Sequence, residues 1–113
     1  MSKNSTPLPG TPVRGSTTGR PIMALLDLLG RRWALRILWE LGHEPSGFRE
    51  LQARCDGMSP SVLSQRLREL LEAGIVSQQE NSTYVLTERG DDLLSALQPL
   101  SAWAATWNSA SQD

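Results

Sequence analysis

Apolar residues recur at helical spacing in several separate runs of this 113-residue chain. "RPIMALLDLLG" (20–30) predicts a short first helix. Pro21 suits an early helical position and Gly30 marks the end. Ile22, Leu25, Leu26, Leu28 and Leu29 cover more than one face, as expected of a helix that packs against more than its own core. "RRWALRILWEL" predicts a second helix, with Trp33, Ile37, Leu38 and Leu41 in register and Gly42 at its end. "HEPSG" reads as a turn. "FRELQARC" places Phe48, Leu51 and Cys55 on one face of a short third helix, which Asp56-Gly57 breaks. "DGMSPSVLSQRLRELLEAGIV" (56–76) supplies a fourth, about residues 59–73, with Leu63, Leu67, Leu70 and Leu71 along one side and Gly74 closing it.

The period then shortens. "IVSQQ" and "TYVLT" are β-prone runs separated by "ENS", a hairpin pattern. Thr87-Glu88 opens a last helix with an acidic first turn, which complements the helix dipole. Pro99 is expected to kink or split it. The order is four helices, a hairpin and a helix. A short Asp-Gly turn between the third and fourth helices makes a helix-turn-helix, and the hairpin after it makes a winged helix. The expected fold is mainly α with a small β-hairpin. Residues 1–19, rich in Pro, Gly, Ser and Thr, read as a disordered tail. Residues 20–90 form the winged-helix domain, and 91–113 a C-terminal helix with a short tail.

Charge changes the picture more than composition does. The net charge of −1 argues at first against a nucleic-acid partner. Residues 1–68, however, hold ten of the eleven Lys and Arg against five Asp and Glu. Residues 69–113 hold only Arg89 against seven acids. A basic front and an acidic back suit one anionic partner and a separate surface for something else. No apolar run approaches the ~20 residues that span a bilayer, and the polar N-terminus does not read as a signal peptide. One Cys excludes an internal disulfide framework. A cytoplasmic protein without a membrane partner is the expectation.

The fourth helix carries the candidate chemistry. Ser59 is a suitable N-cap and Pro60 a suitable first residue. With the leucines facing inward, Ser61, Gln65 and Arg68 fall opposite, with Ser64 to one side. Gln can pair with adenine and Arg with guanine, while Ser bonds bases or phosphate. Arg49, Arg54 and Arg66 are candidates for phosphate contacts. A solvated helix face explains the same composition equally well; the cap, the tight turn and the hairpin favour DNA.

"LLDLLGRRWALRILWEL", the block "MSPSVLSQRLREL" and "LTERG" together resemble the HxlR-type winged helix-turn-helix transcriptional regulators of bacteria, within the MarR-like superfamily. The similarity covers about residues 20–105. It implies a homodimer in which first and last helices pair across a two-fold axis. Each subunit then places residues 60–68 in a major groove. Three departures stand out. Regulators of this type commonly carry a Cys just before the first helix, in some a sensor of electrophiles or oxidants; here the stretch is "TTGRPIM". The wing, 75–87, is short and holds no Lys or Arg, leaving Asn81, Ser82 and Thr83 to touch phosphate. Cys55 stands where the family usually has an aliphatic residue.

Other residues read more plainly. Cys55 is expected in the core rather than as a redox sensor. His43, without partners at metal-ligand spacing, reads as a turn residue. Trp33 fits the core and Trp39 points partly away from it. Trp103 and Trp107, one turn apart, exceed what so small a domain covers. With Ile22, Leu25, Leu26, Leu29, Leu97 and Leu100 they make the expected dimer interface. A pocket for an apolar effector among those aromatics is the other possibility. No catalytic set, phosphate loop, metal site or cofactor motif appears.

The expected function is therefore a homodimeric, sequence-specific regulator binding a near-palindromic operator in double-stranded DNA, with any small-molecule effector unknown. The alternative is a winged helix for protein–protein contact with weak or lost DNA binding, motivated by the near-neutral charge and uncharged wing.

Overall fold

The computed structural model describes residues 6–10 and 20–112, with side chains to residue 107. It contains α1 (Pro21–Leu29), α2 (Ala34–His43), α3 (Phe48–Arg54), α4 (Pro60–Glu72), β1 (Val76–Gln78), β2 (Tyr84–Leu86) and α5 (Glu88–Gln112). The core lies where α2, α3 and α4 meet the wing. Ile37, Leu38, Leu51, Leu63, Leu67, Leu70 and Val76 are fully buried there, with Cys55 among them. From α5, Leu93 packs against this core only partly buried.

Several local details depart from the sequence reading. Trp33 does not lie within α2 but caps it, with φ 76° in the left-handed region. Its ring still packs on the core, and the Arg32 guanidinium sits 5.9 Å from its centroid. Gly42 does not end α2. The helix runs on to His43, whose Nδ1 pairs with the Trp39 carbonyl at 2.8 Å, so His43 is helical rather than a turn residue. A Cβ on Gly42 would stand 2.2 Å from Leu94 Cδ2, so the glycine lets α5 approach α2 closely. Pro99 does not split α5, which is a single element. "HEPSG" is more than a turn. Buried Ser46 forms an antiparallel bridge with Tyr84, its N–H donating at 3.1 Å and its carbonyl accepting at 2.8 Å.

The entry to α4 follows from backbone geometry. Asp56 and Gly57 both take positive φ, 59° and 69°, and reverse the chain after α3. Gln52 Nε2 donates to the Met58 carbonyl at 2.8 Å and ties the turn to α3. At the far end Gly74 adopts φ 76°. Ile75 N–H then donates to the Leu70 carbonyl and Gly74 N–H to that of Leu71, a Schellman closure that turns the chain into β1.

β1 and β2 pair antiparallel, with Val76 opposite Leu86, Ser77 opposite Val85 and Gln78 opposite Tyr84. Gln79 N–H to the Thr83 carbonyl extends the ladder by one bond before the tip. Thr87 then joins wing to helix: its hydroxyl donates to the Gly74 carbonyl at 2.6 Å and accepts from Gly90 N–H at 3.0 Å, capping α5. Most of the expected tail falls outside the described residues. Within it, Pro7 is buried, Thr6 and Leu8 are half-buried and Pro9 and Gly10 are exposed.

Candidate nucleic-acid interface

α4 presents two distinct polar sides. On the outward side Ser61, Ser64 and Arg68 are exposed and Gln65 is half-buried. Ser59 caps the helix by accepting from Val62 N–H, a long contact at 3.5 Å, and its hydroxyl meets that of Ser61 at 3.0 Å. Exposed Pro60 occupies the first helical position. Arg68 makes no hydrogen bond or ion pair among the described residues, nor does exposed Arg49 at the start of α3. Both guanidinium groups are open to an anion.

Arg66 and Arg54 differ from these two. Arg66 Nε donates to the Arg32 carbonyl at 2.8 Å, and its Nη1 pairs with Glu69 at 3.1 Å. Arg54 is held by the Glu44 carboxylate and the Glu40 carbonyl, and its own carbonyl accepts from Arg36 Nη2 at 2.6 Å. Their charges serve internal contacts, which leaves Arg49 and Arg68 as the open cations of the four arginines expected to touch DNA.

Glu69 explains the fate of Arg66. It is 1% exposed, although the sequence places it among the acidic residues of the back half. One carboxylate oxygen takes Arg31 and the other Arg66. Arg31 also reaches Asp27 of α1 at 3.6 Å. A buried carboxylate is tolerable only with such full pairing. The cluster joins α1, the α1–α2 linker and α4, and so fixes the height and rotation of the helix that carries Arg68. Arg66 and Glu69 stand three residues apart, a spacing that a helix brings together, but Arg31 lies 38 residues from Glu69 and no local pattern signals that partner.

The wing tip is polar and uncharged in cations. Asn81 and Ser82 are exposed and Thr83 is half-buried. Asn81 Oδ1 accepts from Thr83 N–H at 3.1 Å, and Ser82 takes φ 66° to complete the turn. Cys55 is fully buried, and burial pushes its thiol pKa up, which disfavours the reactive thiolate.

Away from this face, α1 and α5 expose apolar side chains. Ile22 and Leu26 of α1 are each 56% exposed, whereas Leu25 and Leu29 are partly buried. On α5 Leu100, Trp103 and Trp107 are about 60% exposed, and the two indoles stack with centroids 5.4 Å apart. Leu97 is half-buried in a groove that α5 forms with Leu35 and Trp39 of α2. Leu35 was not among the sequence candidates; only the packing of α5 on α2 reveals that it joins this surface. Among the described residues no helix is long and apolar enough to cross a membrane.

This arrangement of a capped helix after a tight turn, with a hairpin beside it, matches known proteins. The family model described as HxlR-like helix-turn-helix matches residues 28–112. The chain belongs to this family. HxlR-like proteins are helix-turn-helix transcriptional regulators, not enzymes, and DNA is the partner of such proteins. The HTH-type transcriptional regulator YodB of Bacillus subtilis is 32% identical over 96 residues, 80% of this chain and 86% of YodB. The crystal structure of quinone-bound YodB superposes with a TM-score of 0.70 at 34% identity, covering 75% of this chain and 94% of that one. A possible HxlR family transcriptional factor from Thermoplasma volcanium gives 0.67 at 28% identity, over 75% and 82% of the two chains.

Proposed function

We propose that this HxlR-like regulator binds a near-palindromic operator as a homodimer, each subunit laying the N-terminal half of α4 in a major groove. The observation that carries this reading is the outward side of α4. Ser61, Ser64, Gln65 and Arg68 share it, and Arg68 has no partner within the described chain. In helix-turn-helix proteins that part of the second helix reads base edges, and two-fold symmetry sets half-sites about one helical turn apart. Arg68 suits guanine and Gln65 adenine. Ser59, Pro60 and Arg49 lie where the DNA backbone would pass, and Asn81, Ser82 and Thr83 offer neutral wing contacts. Arg54 and Arg66 act as struts.

Residues 20–90 would then serve as the DNA-binding domain and 91–113 as the dimerisation segment. Ile22 and Leu26 of α1 and Leu100, Trp103 and Trp107 of α5 supply exposed apolar surface for a two-fold seam, with Leu25, Leu29 and Leu97 at its base. Selection of bound sequences from a random or genomic DNA pool at moderate salt tests the reading. The expected result is an enriched inverted repeat. Recovery of no motif would favour a winged helix that contacts protein instead.

A further inference from the structure

Two contacts from the α1–α2 linker hold α4 by its polar flank. The Arg31 guanidinium donates to one oxygen of the buried Glu69 carboxylate, and the Arg32 carbonyl accepts from Arg66 Nε at 2.8 Å. Arg66 Nη1 takes the other Glu69 oxygen at 3.1 Å and closes the set. On its far side Arg31 Nη2 reaches Asp27 of α1 at 3.6 Å.

These bonds differ in kind from the packing of Leu63, Leu67 and Leu70. Burial of apolar surface is non-directional and tolerates a small roll of a helix. A charge-assisted hydrogen bond fixes distance and angle, and a buried carboxylate that loses a partner is strongly disfavoured. The anchor also lies close to the outward side of α4. Glu69 is one turn beyond Gln65 and directly follows Arg68, so a roll at position 69 carries both side chains with it. Arg31 itself is only 19% exposed, its guanidinium engaged by two carboxylates. Its other contact leads outward along α1, where Ile22 and Leu26 are exposed beside Asp27 and belong to the proposed dimer seam. The path Asp27–Arg31–Glu69 therefore runs from that seam to the helix that carries Arg68.

We propose, resting on the reading of α4 as the helix that enters the groove, that Arg31 is a positioning residue for base reading. Acting through Glu69 it sets the rotation of α4, and through Asp27 it ties that rotation to α1.

Three variants separate positioning from stabilisation. Arg31→Met keeps the reach of the side chain and removes its charge, Arg31→Lys keeps the charge, and Asp27→Asn alters only the α1 end. Residual dipolar couplings on the ¹⁵N-labelled full chain report the orientation of α4 relative to α2 and α3 without DNA. The ratio of affinities for the selected operator and for its single-base-pair variants reports discrimination. Arg31→Met should turn α4 and lower that ratio roughly threefold to tenfold. Arg31→Lys should retain more of it, and Asp27→Asn should shift both readouts in the same direction by less. A merely stabilising role predicts a lower melting temperature with wild-type couplings and discrimination, and that result in a folded Arg31→Met overturns the proposal. Should Arg31→Met not fold, wild-type couplings and discrimination in Asp27→Asn overturn it. If the wild type enriches no motif, the reading of α4 fails and the role of Arg31 with it.

Discussion

Arg66 and Arg68 stand two positions apart on α4, so about 200° of rotation separates them around the helix axis. Arg66 turns to the α1–α2 linker and Glu69; Arg68 turns outward and has no partner among the described residues. Their alanine variants should therefore fail in different assays. Arg68→Ala should keep its melting temperature and lose operator affinity by on the order of 1–3 kcal/mol, with relaxed base preference. Equal affinity in a gel-shift assay would remove Arg68 from the readout. Arg66→Ala strips one of two guanidinium partners from a buried carboxylate, which costs about 1–3 kcal/mol of stability. A thermal melt should show that loss as a lower melting temperature, roughly 4–8 °C per kcal/mol for a domain of this size. Sequence spacing put Arg66 among the phosphate contacts, since helical rotation alone does not say what stands on the flank of α4. Cys55 was legible: an apolar period placed it inward, and it is fully buried. It should resist alkylation in the native protein at a pH where the unfolded chain reacts readily.

The wing is the element whose chemistry departs most from a strong DNA grip. Residues 75–87 hold no cation, and the tip offers only Asn81, Ser82 and Thr83 beside Glu80. Affinity falls with salt by a slope of about −0.9 per phosphate neutralised. A cation-free wing adds nothing to that count, so the slope should be gentler than in relatives with basic wings. Glu80→Lys tests whether the wing reaches the duplex at all. One new phosphate contact per subunit should steepen the slope of a dimer by about 2; an unchanged slope would place the wing tip away from DNA. The hairpin was readable because "ENS" parts two β-prone runs. The Ser46–Tyr84 bridge was not, because a single residue in a Pro-containing turn carries no period of its own.

At the scale of the whole molecule, the core is complete without the C-terminal half of α5. Beyond Leu97 every side chain described on that helix is exposed, two stacked tryptophans included. In the proposed homodimer this apolar surface supplies the seam. Combined Trp103→Asp and Trp107→Asp substitution should convert a dimer to a monomer in sedimentation equilibrium while helix content is retained. A double variant with the wild-type mass would move the seam elsewhere.

The sequence by itself determined the element order, the start and stop of α4, and which residues α4 turns outward. These are local matters of caps, turns and 3.6-residue period, and a linear chain states them directly. The tertiary structure alone decided that Glu69 is buried between Arg31 and Arg66, and that Leu35 and Trp39 border α5. Each depends on residues far apart in the chain meeting in space, and no pattern along one segment encodes what another segment will bring to it.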